Sequence, residues 1–106
     1  MAYLLQVDFP QEGPFGEAMA EAFTGLANDI NEEKGFLWKI WTENEQTKEA
    51  GGIYLFETQE DANNYLVKHT KRLSGFGIEN VKGKIFKTND ALTTITHGPL
   101  NDSPLS

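Results

Sequence analysis

Two neighbouring segments, Gly35-Phe-Leu-Trp-Lys-Ile-Trp-Thr-Glu43 and Ala50-Gly-Gly-Ile-Tyr-Leu-Phe56, are apolar in a way that narrows the possible folds sharply. Each reads as a β-strand, and a polar turn, Asn44 to Lys48, joins them. Side chains on a strand alternate between its two sides. Simple alternation sends Phe36, Trp38 and Ile40 one way and Leu37 and Trp41 the other; Ile53 and Leu55 oppose Tyr54 and Phe56. Large apolar residues thus fall on both faces. One layer of helices covers only one face of a sheet. The second face needs another cover, and in a chain of 106 residues the source expected is a second copy of the chain.

The remaining segments supply that helix layer and complete the sheet. A strand fits Ala2 to Phe9, with Tyr3, Leu5, Val7 and Phe9 on one face, and Pro10 ends it. Gly13-Pro14 opens a helix, proline being suited to the first helical position. Phe15, Met19, Phe23, Leu26 and Ile30 then recur at helical spacing to about Asn31. Thr58-Gln-Glu-Asp61 resembles a capping box and starts a second helix to about Leu73, with Ser74-Gly75 as its C-cap. A last strand fits Glu79 to Thr88, and Asn89 to Thr96 forms a short turn or arm. The order β-α-β-β-α-β is the ferredoxin-like arrangement, an antiparallel sheet with two helices on one face. We therefore expect one α+β domain over residues 1–96 and a flexible tail over residues 97–106, where Pro99, Pro104 and small polar residues dominate.

Composition excludes several functions. A net charge of −7 argues against nucleic acid or an anionic membrane as partner, since phosphate binding requires clustered cations. Lys68, Lys71 and Arg72 do gather, but at the end of the second helix, where cations favour the helix dipole. With no cysteine there is no disulfide scaffold, thiolate metal site or Cys nucleophile. No metal site is expected, because a single internal histidine leaves no His cluster and the acidic residues form no EF-hand loop. Gly51-Gly52 opens a strand rather than a helix, so a close backbone approach or a bulge explains it better than a phosphate loop. No run is long enough to span a bilayer, and Tyr3 to Phe9 reads as a strand rather than a leader. A soluble cytoplasmic protein is the default expectation.

His69 is the first candidate for chemistry. It lies with Ala62, Leu66 and Leu73 on one face of the second helix, and its ordinary pKa near 6.5 suits a general base. The alternative is a core histidine satisfied by a backbone carbonyl or a tyrosine hydroxyl. Trp38, Trp41 and Tyr54 form the next group, with rings to stack on an aromatic ligand and N–H or O–H groups to hold its oxygens. Trp38 and Trp41 are three apart, which sends them to opposite sides; Trp38 shares parity with the larger apolar set and is assigned to the helix-covered side.

The Gly13-Pro-Phe-Gly16 segment, the Gly35–Glu43 strand, Glu49-Ala-Gly-Gly-Ile-Tyr-Leu-Phe56 and Tyr65-Leu-Val-Lys-His-Thr70 together resemble the YdhR-type monooxygenases, of the dimeric α/β-barrel class. The resemblance implies a homodimer whose sheets pack face to face and a pocket between sheet and helices in each subunit. It implies a cofactor-independent monooxygenase of a small phenol or quinol-type aromatic, with His69 accepting a proton. Tyr54 or Trp38 would then donate a hydrogen bond to the substrate oxygen, with Phe36 and Leu66 in a dry wall. A non-catalytic dimer sheltering a hydrophobic small molecule is the alternative. A haem-binding or haem-degrading dimer ranks below both: His69 could match the helix histidine that ligates iron there, but those proteins also rely on an Asn on the first strand, where this chain has Gln6 and Asp8.

Overall fold

The structure is a computed structural model that describes residues 2–100. Its elements are β1 (Tyr3–Pro10), α1 (Gly16–Ile30), β2 (Phe36–Asn44), β3 (Glu49–Phe56), α2 (Gln59–Gly75), β4 (Lys82–Lys87) and a short α3 (Asp90–Ile95). The four strands form one antiparallel sheet in the order β2-β3-β1-β4. This is the expected ferredoxin-like β-α-β-β-α-β topology.

Helices α1 and α2 cover one face. Leu5, Val7 and Phe9 of β1 and Tyr54 and Phe56 of β3 meet Met19 and Ile30 of α1 and Ala62, Tyr65 and Leu73 of α2. Phe23 and Leu26 extend the α1 stripe at the spacing the sequence predicts. Thr58 caps α2, its hydroxyl accepting from the Asp61 amide at 3.0 Å. Proline does not open α1, however. The helix begins at Gly16, whose amide donates to Glu43 Oε1 at 2.8 Å, so the end of β2 supplies the cap that Phe15 lacks. Likewise α2 runs through Gly75, and Gly77, at φ +83°, is the left-handed residue beyond its end.

Glycine acts through close approach at two places. A Cβ on Gly51 would collide with the Val7 carbonyl oxygen, so β1 and β3 can lie this near only without a side chain there. That is the close backbone approach expected of Gly51-Gly52. On β4, a Cβ on Gly83 would come within 2.5 Å of Leu66 Cδ1, which is how Leu66 seats directly on the sheet.

The decisive irregularity is in β2. Phe36 pairs with Phe56 and Trp38 with Leu55, so two residues of β2 advance against one of β3. This β-bulge at Leu37 inverts every side chain after it. Lys39 now pairs with Tyr54 and Trp41 with Gly52, on the helix-covered face; Trp38 and Ile40 pair with Leu55 and Ile53, on the open face. The assignment of Trp38 to the covered side is therefore corrected, because uniform alternation fails at the bulge.

The open face carries Leu4, Trp38, Ile40, Ile53, Leu55 and Phe86. Ile40 is 56% and Phe86 49% exposed. Residues 97–100 turn back onto one end of this face, where the Trp38 indole N–H donates to the Pro99 carbonyl at 3.2 Å. The rest of the tail expected from residue 97 to 106 lies outside the described residues. No helix among the described residues is long and apolar enough to cross a membrane.

Candidate functional site

The covered face encloses a small cavity, about 30 Å³, at the β2 side of the helix layer. His69 and Leu73 reach it from α2, Met19, Phe23 and Leu26 from α1, and Lys39 and Trp41 from β2. Phe23 and Trp41 stack at 6.3 Å between ring centres. With Met19 they also line a groove of about 370 Å³ on the outer side, along α1 and past Thr24 and Glu43. The stacked pair is thus a partition between an outer groove and an inner cavity.

His69 is 2% exposed, and its Nδ1 has no hydrogen-bond partner among the described residues. Its ring stacks on Tyr65 at 5.1 Å and meets Tyr54 edge-on at 6.3 Å. Buried nitrogen is normally satisfied. The reading of His69 as a satisfied core histidine fails at this atom. Burial, then the charges of Lys39 and Arg72, press its pKa down to about 3, so the ring is neutral over the working range. A neutral imidazole with a free nitrogen offers a hydrogen bond but little basicity. The ordinary value near 6.5, on which the general-base expectation rests, does not hold at this buried position.

Tyr54 stands behind His69. The Tyr65 hydroxyl donates to the Tyr54 hydroxyl at 3.2 Å, which leaves the Tyr54 proton available to a further acceptor. Burial raises the Tyr54 pKa to about 12 and raises that of Tyr65 as well, so both remain protonated donors.

Lys39 was not among the candidates read from the sequence. The bulge turns it inward, and the absent Cβ of Gly52 makes room for its stem: a Cβ there would lie 2.5 Å from Lys39 Cε. Its Nζ sits 3.3 Å from the centre of the Trp41 ring and 4.6 Å from that of Tyr54. Burial and, secondarily, Arg72 lower its pKa to about 7.

Of the residues nominated from sequence, then, His69 lines the cavity and Tyr54 adjoins it. Phe36 packs edge-on against Phe56 at 5.9 Å, and Leu66 rests on Gly83; neither lines the cavity. Trp38 is on the other side of the sheet. Tyr65, four residues before His69 and therefore on its helix face, was legible by spacing and overlooked. A wider depression, about 760 Å³, is a charged surface cleft near Asp29, Glu33, Lys68 and Arg72. Lys68 and Arg72 are engaged there with Glu33 at 2.7 and 3.7 Å, and the cleft is far more open than the cavity. No group of three or more His, Asp or Glu among the described residues is placed to hold a metal ion.

The sequence matches the family described as "Putative mono-oxygenase ydhR" over residues 4–99. The chain belongs to the ydhR mono-oxygenase family. The match takes in Gly98 and Pro99, beyond the boundary expected at residue 96. Among solved structures, the fold of this ydhR-family protein is similar to that of a "putative antibiotic biosynthesis monooxygenase" from Deinococcus radiodurans. Their TM-score is 0.56 at 11% identity, covering 84% of this chain and 93% of that one. None of the curated proteins matches the chain.

Proposed function

We propose that this protein is a cofactor-independent monooxygenase of a small phenol or quinol-type aromatic, working as a homodimer. The observation that carries the reading is the His69 Nδ1, unpartnered among the described residues and next to a tyrosine with a proton to donate, in a cavity walled mainly by rings and aliphatic groups, with Lys39 and Gln11 its other polar members. A deprotonated, electron-rich phenol can reduce dioxygen itself. The substrate then supplies all the electrons: one oxygen atom becomes a ring carbonyl and the other leaves as water. The protein need only bind the hydroxyl, favour its ionised form and exclude water. The Tyr54 O–H and His69 Nδ1 are suited to the first task.

At about 30 Å³ the inner cavity has room for water and not for a ring, which needs roughly 150 Å³. Entry therefore requires Phe23 and Trp41 to part and join the cavity to the outer groove. Two observations make the half-exposed Trp41 a reasonable door: it borders both spaces, and no hydrogen bond to its indole is among those described.

Dimerisation is supported by the open face, where apolar side chains lie uncovered on the side away from both helices. The low basicity of His69 favours a second reading, a non-catalytic dimer that binds a hydrophobic molecule. Haem has less support: Gln6 and Asp8 project from the open face, opposite His69.

Oxygen uptake with a panel of hydroquinols, measured beside thermal melting for wild type, His69→Ala and His69→Asn, tests the reading. We expect turnover to fall about 100-fold or more with a much smaller change in melting. Full activity in both variants would remove His69 from the mechanism. No uptake by wild type across the panel would put the binding protein first.

A further inference from the structure

Lys39 is an amine with no carboxylate partner among the described residues. Its neighbours are the Trp41 ring on its own strand, the Tyr54 ring on β3, and His69 and Arg72 on α2. None of these is an anion. Among the described residues no carboxylate pairs with Lys39: Glu33 is held by Lys68 and Arg72, and Glu43, on the same face of β2, accepts from the Gly16 amide. Aromatic faces attract an ammonium but do not supply the full charge and the hydrogen bonds of a carboxylate. The bulge places Lys39 on this face, and Gly52 leaves open the space its Cε occupies.

We propose that Lys39 is the anion-binding group of the cavity, its ammonium holding the oxyanion of an ionised phenol or enol whose ring lies between Trp41 and His69. Burial leaves the amine partly neutral near pH 7. On binding it takes the hydroxyl proton, so that amine plus phenol becomes ammonium plus phenolate, and no further reactant is needed. An imidazole with a pKa of about 3 faces a transfer from a phenol near 10 that is about seven orders of magnitude uphill; for the amine it is about three. The inference rests on the aromatic-substrate reading and narrows it to acidic phenols and enols, as opposed to neutral arenes.

The probe is 4-nitrophenol, whose phenolate is yellow and whose neutral form is not. Wild type, Lys39→Met and Lys39→Arg are titrated with the dye across pH 5 to about 9, after melting curves show that each is folded. We expect wild type to bind the dye as phenolate well below the pH at which free dye ionises. Lys39→Met should bind roughly 10- to 100-fold more weakly, with the bound dye colourless at neutral pH. Lys39→Arg, which keeps the charge, should retain phenolate binding. A ligand-free readout accompanies this: in a Trp38→Phe background, where Trp41 is the sole indole, fluorescence should titrate near pH 7 and cease to do so in Lys39→Met.

Equal affinity and equal dye ionisation in wild type and Lys39→Met would overturn the assignment while leaving the oxygenase reading intact. Failure of wild type to bind the dye would overturn it as well. Quinol-dependent oxygen uptake by the same preparation then decides whether the aromatic reading falls with it.

Discussion

The two faces of the sheet leave different things unsatisfied. The helix-covered face is largely closed to water, yet among the described residues its His69 Nδ1 has no hydrogen-bond partner and the half-buried Lys39 amine no carboxylate. The open face meets water yet carries apolar groups without cover, Ile40 and Phe86 foremost. A small molecule with an acidic hydroxyl and an aromatic body would complete the first. Only an extended apolar surface would complete the second. The proposed ligand site and the proposed association surface thus lie on opposite sides of one four-stranded sheet, and a substitution on one side should leave the other nearly untouched.

That separation can be broken most forcefully with acid. The unfolded chain protonates His69 near pH 6.5, but the fold resists until about 3. Between these values the unfolded state binds the extra proton, so stability is full above about 6.5 and declines as the pH falls toward 3. The contribution is on the order of 4 kcal/mol at complete protonation. Urea unfolding as a function of pH should therefore show a shallower acid limb in His69→Gln than in wild type. An identical slope would mean that the imidazole is not held neutral. Lys39 acts at the other end: its lowered pKa makes the fold gain stability as pH rises from about 7 to 10.5.

The open face is tested by charge. Ile40→Glu should weaken self-association by about 2 kcal/mol or more, read as a shift from dimer to monomer in sedimentation, with the 4-nitrophenol titration unchanged. Wild type that sediments as a folded monomer at micromolar concentration would refute the interface outright. Trp41, which uniform alternation assigns to that face, is now the wrong residue to charge.

The smallest effect is a control that concerns neither face. Thr58→Ala removes the α2 cap and should cost about 1 kcal/mol in thermal or urea unfolding, leaving both sedimentation and dye binding as they were. A change in dye binding would show that the start of α2 is coupled to the distant His69.

Much of this architecture was legible because it depends on local pattern. The α1 stripe from Met19 to Ile30, the Thr58 cap and the alternation of Leu5, Val7 and Phe9 are each dictated by neighbours in sequence. His69 was legible for the same reason, since helical spacing sets its face. What escaped depends on pairing between strands. Nothing in the Phe36–Trp41 string marks Leu37 as the bulge; that is decided by how β2 meets β3, and it reverses Trp38 and Lys39 together. The role of Gly52 is hidden similarly, because the space it leaves belongs to Lys39, a residue on another strand. A perturbed pKa is still less legible, being a property of burial and of Arg72 rather than of lysine itself.

The bulge also bears on how such a chain changes by descent. Loss or gain of a single codon is usually absorbed in turns, and within the 45–48 turn it would alter neither face. At Leu37 the sheet offers a second such place. Deletion would leave Phe36 opposite Phe56, Trp38 opposite Leu55 and Lys39 opposite Tyr54 in unbroken alternation, so each side chain keeps its face, whereas loss of one residue between Trp38 and Trp41 would turn over the rest of the strand. The extra residue is thus a reserve of length, set where β2 can shorten by one codon without exchanging its two faces.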